Sequence, residues 1–389
     1  PSRPRRWGDS HGFEISKAVP MSPKDGDVGV LNSVHAVAAP LHTGALLSPA
    51  QVLAKYGVKN AQSAIEVTVP AGQSREFTIT IAHYNDQPLL NIGQARLYLT
   101  KYYRSIGDVV RAAARLYPAA KKRAEAHAVM VKGRGLNDYR QFLYGHALAS
   151  YMFNTRLFLG DDGQVLWSVI EGEYDYINTF DLVIDHAFLE LEMHPWTVRN
   201  ELDYYAQRFH YIDHVKSTLP DARTYEGGLA FTHDMGSAFS YKTAEQAALP
   251  YPLMSQEELQ NWILCAGMYW KKTGDARWLA KKRTVLEQCL ASMLVRDDVE
   301  PEKRDGLTTY VSAATAPPKA VRQGEITTYD SLDVSLRLPA NSGYIAGKSF
   351  ACYLALEAIF SHFGDIGRAE TCRAQAGRVA ATVSRHFDP

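Results

Sequence analysis

Apolar positions change their period once along this chain. Ala64-Ile-Glu-Val-Thr-Val69 and Arg75-Glu-Phe-Thr-Ile-Thr-Ile81 alternate with period two, and Pro70-Ala-Gly-Gln73 between them is turn chemistry. That pattern predicts a hairpin with one buried face. Residues 1–100 are therefore read as the end of a β domain. From about residue 103 the spacing becomes helical. Two linker helices are expected, Arg104–Leu116 and Ala119–Val129, interrupted at Pro118. Asn137 is placed to cap a helix carrying Tyr139, Phe142, Leu143, His146 and Tyr151. Thr179 is placed to cap one carrying Leu182, Ile184, Phe188 and Leu191. Pro195 ends that helix and opens the next, with Trp196, Val198, Leu202 and Tyr205. Ser255-Gln-Glu-Glu258 reads as a capping box before Trp262, Cys265 and Tyr269. Gly274 stops that helix, and Asp275 starts one carrying Leu279, Leu286, Cys289 and Met293. A last pair, 347–363 and 366–386, breaks at Gly364.

Paired helices with short turns, alternating with long loops at 153–178, 210–254 and 296–341, suggest an α/α toroid whose loops carry function. About seven or eight helices are legible, fewer than six closed hairpins need. The array reads as an incomplete barrel. The chain also lacks an initiator Met, as a processed product or part of a longer polypeptide would.

Composition narrows the function classes. Lys+Arg and Asp+Glu number 42 each, so nothing attracts nucleic acid or an anionic membrane over long range. No apolar run reaches the roughly 18 residues of a membrane span, and the Pro-Ser-Arg-Pro-Arg-Arg start has no apolar signal region. Cys265, Cys289, Cys352 and Cys372 show no CxxC spacing and lie in apolar helical runs. They read as buried thiols of a reducing, cytoplasmic compartment rather than as a metal site or a disulfide framework.

Two acidic clusters sit in the loops. The first offers Glu171, Glu173, Asp175 and Asp181 among Tyr174, Asn178 and Thr179; the second offers Asp330 and Asp333 beside Tyr329. Carboxylates this close do not all ionise freely in a shielded site, so their pKa values separate. Such pairs suit acid/base and nucleophilic work on a bond between sugars. Asn178 and Thr179 suit either a sugar hydroxyl or the helix cap. Tyr329 would shield Asp330 and raise its pKa, as a general acid requires. Asp330 and Asp333 share a face only in a helix. In Phe231-Thr-His-Asp-Met-Gly236, His233 and Asp234 side by side can orient a sugar hydroxyl. A metal there would need further ligands at recognisable spacing, and none is found. His146 is read as a satisfied core residue or a site residue. The sequence holds no Gly-rich phosphate loop and no Gly-x-Ser-x-Gly elbow.

Glu171-Gly-Glu-Tyr174 with Ile177-Asn-Thr-Phe-Asp-Leu182, Phe231-Thr-His-Asp-Met-Gly236 and Glu325-Ile-Thr-Thr-Tyr-Asp-Ser-Leu-Asp-Val-Ser-Leu336 together resemble the family-52 glycoside hydrolases. His194-Pro-Trp-Thr-Val-Arg-Asn200 and Asn261-Trp-Ile-Leu-Cys-Ala266 support the match, which runs from about residue 138 to the end. The first motif is also similar to the related family-116 β-glucosidases and glucosylceramidases. The resemblance implies a mainly α fold: an (α/α)6 barrel over 136–389, linker helices over 101–135, and part of a β-sandwich over 1–100. It implies a retaining β-xylosidase that removes xylose from the non-reducing end of xylo-oligosaccharides. Oxocarbenium stabilisation needs only carboxylates and hydrogen bonds, so no cofactor is expected, and a sugar hydrolase of this size is expected to associate as a homodimer. It makes Glu173 the nucleophile, with Glu171 as alternative, and Asp330 the acid/base, with Asp333 as alternative. Asn178, Thr179, His233, Asp234, Tyr329 and Tyr174 become substrate-binding residues. A β-glucosidase and an incomplete sugar-binding fragment are the other readings. One departure stands out: Arg337-Leu-Pro-Ala-Asn-Ser-Gly343 replaces the family's Gly-Gln-Ala-Arg-Asn-Asn-like stretch, so a substrate contact there differs.

Overall fold

The computed structural model describes residues 2–20, 30–40, 42–58, 63–88, 95–132, 134–171, 176–217, 222–236, 254–313, 325, 327 and 340–387. Helix dominates, and several sheets accompany it. The chain forms two compact units, Pro1–Val165 and Leu166–Ala238 with Lys242–Pro389.

In the first unit, β1 (Ser2–Trp7), β2 (Ser10–Pro20), β3 (Val30–Pro40), β4 (Ala45–Leu47), α1 (Pro49–Tyr56), β5 (Ala64–Glu66), β6 (Thr80–Tyr84), β7 (Arg96–Leu97), α2 (Ile106–Lys132), α3 (Asp138–Asn154) and β8 (Thr155–Leu159) follow in order. An antiparallel sheet runs β1-β2-β3-β6. Small residues on its inner face, Ala36, Ala38 and Ala82, leave room for Trp7 and for Ile106 and Val110 of α2. The expected hairpin between 64–69 and 75–81 does not form. Ala64–Glu66 pairs with β4, and Thr80–Tyr84 pairs with β3. Alternation marks a half-buried strand but does not choose its partner.

The two linker helices are one, because α2 continues through Pro118. The surrounding residues are exposed, so water serves the carbonyl that proline leaves without a donor. Asn137 does cap α3, accepting from the Arg140 amide at 2.9 Å. The apolar positions of α3 are not core positions within this unit, however: Tyr139, Phe142 and Leu143 are exposed. His146 is exposed too and stacks on Phe142.

The second unit holds β9 (Val165–Glu171), β10 (Tyr176–Ile177), α4 (Phe180–Met193), α5 (Trp196–Arg208), β11 (His210–Ser217), β12 (Tyr225–Phe231), α6 (Ser255–Thr273), α7 (Ala276–Lys281), α8 (Arg283–Asp297), β13 (Tyr310–Ser312), α9 (Gly343–His362) and α10 (Ile366–Phe387). The loops read at 153–178, 210–254 and 296–341 thus contain strands, with β11 between β12 and β13. Their mixed polarity hid the alternation, since β11 faces solvent at His210, Ile212 and His214 and buries Asp213, Val215 and Ser217.

Pro195 separates α4 from α5 as expected. Gly274 closes α6 at φ +67°, a left-handed conformation that a Cβ would strain. Asp275 caps α7 through the Trp278 amide, but the helix expected from there to Met293 is two, broken at Lys282. The four cysteines are buried free thiols.

The core centres on α6, which packs against α4, α5, α8 and α9. Phe231 stacks on Trp262 with ring centres 5.3 Å apart, and Phe180 stacks on Tyr205 at 3.9 Å. Among the described residues, no helix is long and apolar enough to cross a membrane.

Candidate active site

A pinned turn carries the first acidic motif. Asn178 sits at φ +50°, a costly conformation for a residue with a side chain. Its amide compensates: Oδ1 accepts from the Val169 amide at 2.6 Å and Nδ2 donates to the Trp167 carbonyl at 3.0 Å. The Tyr205 hydroxyl donates to the Asn178 carbonyl at 2.5 Å. Asn178 is thus buried and engaged with the backbone on both sides. The next residue occupies the N-cap position of α4 but makes no cap bond. Thr179 Oγ1 donates instead to Glu171 Oε2 at 2.7 Å.

The His233–Gly236 segment runs beside this turn. Phe180 N donates to the His233 carbonyl at 2.7 Å, Ile177 N to the Gly236 carbonyl, and Met235 N to the Ile177 carbonyl, both at 2.9 Å. Those bonds bring His233 to Asp181, with Nε2 and Oδ1 3.8 Å apart, while His233 Nδ1 lies 2.9 Å from Asp234 Oδ2. The Asp234 carboxylate also accepts from the Gly236 amide at 2.7 Å. Two motifs some fifty residues apart in sequence therefore meet through main-chain pairing.

The third wall is the first half of α6, where every residue from Ser255 to Ile263 is buried, including Gln256, Glu257, Glu258, Gln260 and Asn261. Buried charge at this density requires partners. Lys348 Nζ donates to Glu257 Oε1 at 2.6 Å and to Asn261 Oδ1 at 2.8 Å, and the Tyr344 hydroxyl reaches the same Glu257 oxygen at 2.8 Å. Asn261 Nδ2 donates to Glu258 at 3.1 Å. Asp181, His233 and Glu258 each bring one ligand atom within 4.8 Å of the others. A cation would fit that spacing, but so would two hydroxyls of one ligand.

Burial and crowding set the proton affinities. Desolvation raises Asp181 to about 6; His233 opposes the shift, and Glu257 and Glu171 add to it. Burial alone would lower His233, but Asp234 and Asp181 outweigh it and raise the imidazole above its ordinary value. Burial drives Glu258 well up, helped by Asp181 and Glu257. Tyr344 is pushed up to about 12 by burial and the Glu257 charge. Asp181 and Glu258, both raised by burial beside an imidazole, can accept hydrogen bonds from a neutral, hydroxyl-rich ligand and donate to it when protonated.

Ser255 was expected to cap α6. The structure corrects this: Met254 is the N-cap residue, without a side-chain bond. The Ser255 hydroxyl faces Glu325 Oε1 at 2.7 Å. Glu325 is fully buried, accepts from Gln256 N at 2.9 Å and Ser312 N at 2.5 Å, and pairs with Arg296 at 3.1 Å. Arg296 also holds Asp213, at 2.6 Å. This hub fixes Glu325 against the N-terminus of α6.

Of the sequence-derived site residues, Glu171, Asn178, Thr179, His233 and Asp234 come together here. Glu173, Tyr174, Tyr329, Asp330 and Asp333 lie outside the described residues. Sequence reasoning missed Glu257, Glu258, Asn261, Tyr344 and Lys348. For Glu257, Glu258 and Asn261 the signal was a run of polar residues continuing into a helix whose next turns are apolar; Tyr344 and Lys348, on α9, carried none.

A helical unit that gathers carboxylates, an imidazole and an ammonium into one buried cluster has the character of a glycoside hydrolase, and sequence comparison agrees. The model of glycosyl hydrolase family 52 matches residues 44–269, and the chain belongs to that family. The chain is 37% identical over 331 residues to a β-xylosidase of Geobacillus stearothermophilus, covering 83% of this chain and 46% of that protein. It is 34% identical over 340 residues to a second β-xylosidase from the same organism, covering 84% and 52%. The chain thus spans about half the length of the curated relatives it matches.

Proposed function

We propose that this protein is a retaining exo-β-xylosidase that releases xylose from the non-reducing end of xylo-oligosaccharides by double displacement. The observation that carries this reading is the convergence of Glu171, Asp181, His233, Glu257 and Glu258 in a chain of a family whose curated relatives are β-xylosidases. Glu173, two residues beyond Glu171, attacks the anomeric carbon and forms a covalent xylosyl-enzyme as the glycosidic bond breaks. Asp330, five residues beyond the anchored Glu325, gives its proton to the leaving oxygen. It then takes a proton from the water that opens the intermediate. Glu171 and Asp333 are the alternatives for the two roles.

His233, Asp234 and Thr179 orient sugar hydroxyls, with Tyr174 and Tyr329 flanking the ring. Asn178 acts by shaping the turn, and Asp181 joins the hydroxyl-binding set. Carboxylates and hydrogen bonds suffice for the oxocarbenium-like transition state, so no cofactor takes part. The helices belong to an (α/α)6 barrel over 136–389, preceded by linker and sandwich segments over 101–135 and 1–100. The protein works in the cytoplasm, as a homodimer, on a sugar rather than on nucleic acid.

The test is hydrolysis of p-nitrophenyl β-D-xyloside followed by proton NMR. Release of β-xylose as the first-formed anomer is expected. First-formed α-xylose would overturn the retaining assignment, and preference for the β-glucoside would overturn the xylosidase one.

A further inference from the structure

Apart from that cluster, α4 and α5 carry a second group of ligating side chains that the hydrolytic reading does not use. His186 and Glu190 are one turn apart on α4, and Glu201 faces them from α5. One ligand atom from each lies within 4.8 Å of the others, and His186 Nδ1 is 3.2 Å from Glu190 Oε1. Glu190 and Glu201 have no exposed surface. The sequence hid this trio because its spacing, i and i+4 followed by a residue on the next helix, matches no linear metal motif.

Glu190 is well held. Trp167 Nε1 donates to its Oε1 at 3.0 Å and Thr197 Oγ1 to its Oε2 at 2.8 Å. Glu201 is not: neither carboxyl oxygen has a hydrogen-bond donor among the described residues. The polar group that acts on it is Glu190, another acid, which with burial drives the Glu201 carboxyl well above its ordinary range. Two buried acids forced together share either a proton or a cation. A cation would also take His186 Nδ1, which already lies 3.2 Å from Glu190 Oε1, as a third donor.

We propose that His186, Glu190 and Glu201 bind one divalent transition-metal ion of the Zn2+ class, a structural site clamping α4 to α5. One imidazole nitrogen and two carboxylate oxygens are donors such ions accept, with water completing the shell. Two carboxylates balance the charge of a divalent ion, which removes the like-charge conflict in the core. Trp167 and Thr197 are the outer partners that orient a ligating carboxylate. The ion would hold the helix hairpin whose first turn carries Asp181. The proposal does not depend on the xylosidase reading.

The test uses the whole protein, stripped with chelator, reloaded with Zn2+ or Co2+, desalted and assayed for metal content. Glu201→Gln keeps the shape but removes one ligand charge; His186→Asn, nearer the surface, is the second variant should the first not fold. Asp181→Asn with Glu258→Gln disables the other cluster. One ion per chain is expected, with visible cobalt bands, a higher melting temperature, loss in Glu201→Gln or His186→Asn, and retention in the double variant. No retained ion would overturn the proposal in favour of a shared proton. So would an ion that survives the His186 and Glu201 changes, or one that disappears only with Asp181 and Glu258.

Discussion

Thr179 donates its hydroxyl to Glu171 across 2.7 Å, from the position where a threonine ordinarily caps its own helix. The helix forgoes that cap, and the Glu171 carboxylate gains a fixed orientation. A hydrogen bond to a charged group contributes about 1.5–3 kcal/mol. Thr179→Val keeps the shape and is predicted to lower kcat/KM about 10- to 100-fold. Circular dichroism should show the helices unchanged. Steady-state kinetics equal to the parent's would remove Glu171 from the working site.

Asp181 links the site to pH. Burial holds its carboxyl at about 6 in the fold, against about 4 in an unfolded chain. Folding therefore favours the protonated acid. The destabilisation is absent below about pH 4, grows between there and about pH 6, and is complete above. Asp181→Asn is predicted to raise stability near neutral pH by up to about 3 kcal/mol, with the gain vanishing below about pH 4, while kcat/KM falls. Urea melts of both proteins across that range measure the difference; a gain that stays constant with pH would contradict the assignment.

Arg296 neutralises Asp213 and Glu325 inside the protein. Arg296→Met leaves two buried acids without a counter-charge, and about 3–5 kcal/mol of stability should be lost. Glu325→Gln is gentler, since its one amide oxygen still accepts either from Ser255 and the Ser312 amide or from the Gln256 amide. Because Glu325 precedes Asp330 by five residues, this variant is expected to lower kcat more than it changes KM and to move the basic limb of the pH–rate profile, which the general acid sets. Melting temperature and the kinetic split, measured together, separate the two effects.

Tyr205 fixes the turn from behind. Tyr205→Phe keeps the stack on Phe180 but leaves the Asn178 carbonyl buried without its donor. A cost of about 1–3 kcal/mol is expected. Chemical denaturation reads it directly; a neutral result would mean that the Asn178 geometry is held by its side-chain amide alone.

Helix ends were legible because single residues with local chemistry set them: Asn137, Pro195, Gly274 and Gly364 all mark real boundaries. Pairing was not, since Thr80–Tyr84 finds its partner in β3 rather than across the nearest turn. The same divide runs through the site. His233 and Asp234 were visible as neighbours in sequence, but their approach to Asp181 depends on main-chain bonds between distant segments. Glu257 and Glu258 looked like ordinary helix-surface charges, and only packing of α6 on all sides turns them inward, where Lys348 of α9 meets Glu257. Ser255 misled for the same reason: its capping pattern is local, while Glu325 lies 70 residues away.

The central claim, that Glu173 is the nucleophile of a retaining xylosidase, is tested most directly by azide rescue. The Glu173→Ala protein is incubated with an activated β-xyloside and azide, beside Glu171→Ala and Asp330→Ala. The account predicts α-xylosyl azide from Glu173→Ala alone, and β-xylosyl azide from Asp330→Ala, where azide replaces water on the covalent intermediate. α-Xylosyl azide from Glu171→Ala, with Glu173→Ala still turning over, would contradict it and move the nucleophile to the carboxylate that Thr179 holds.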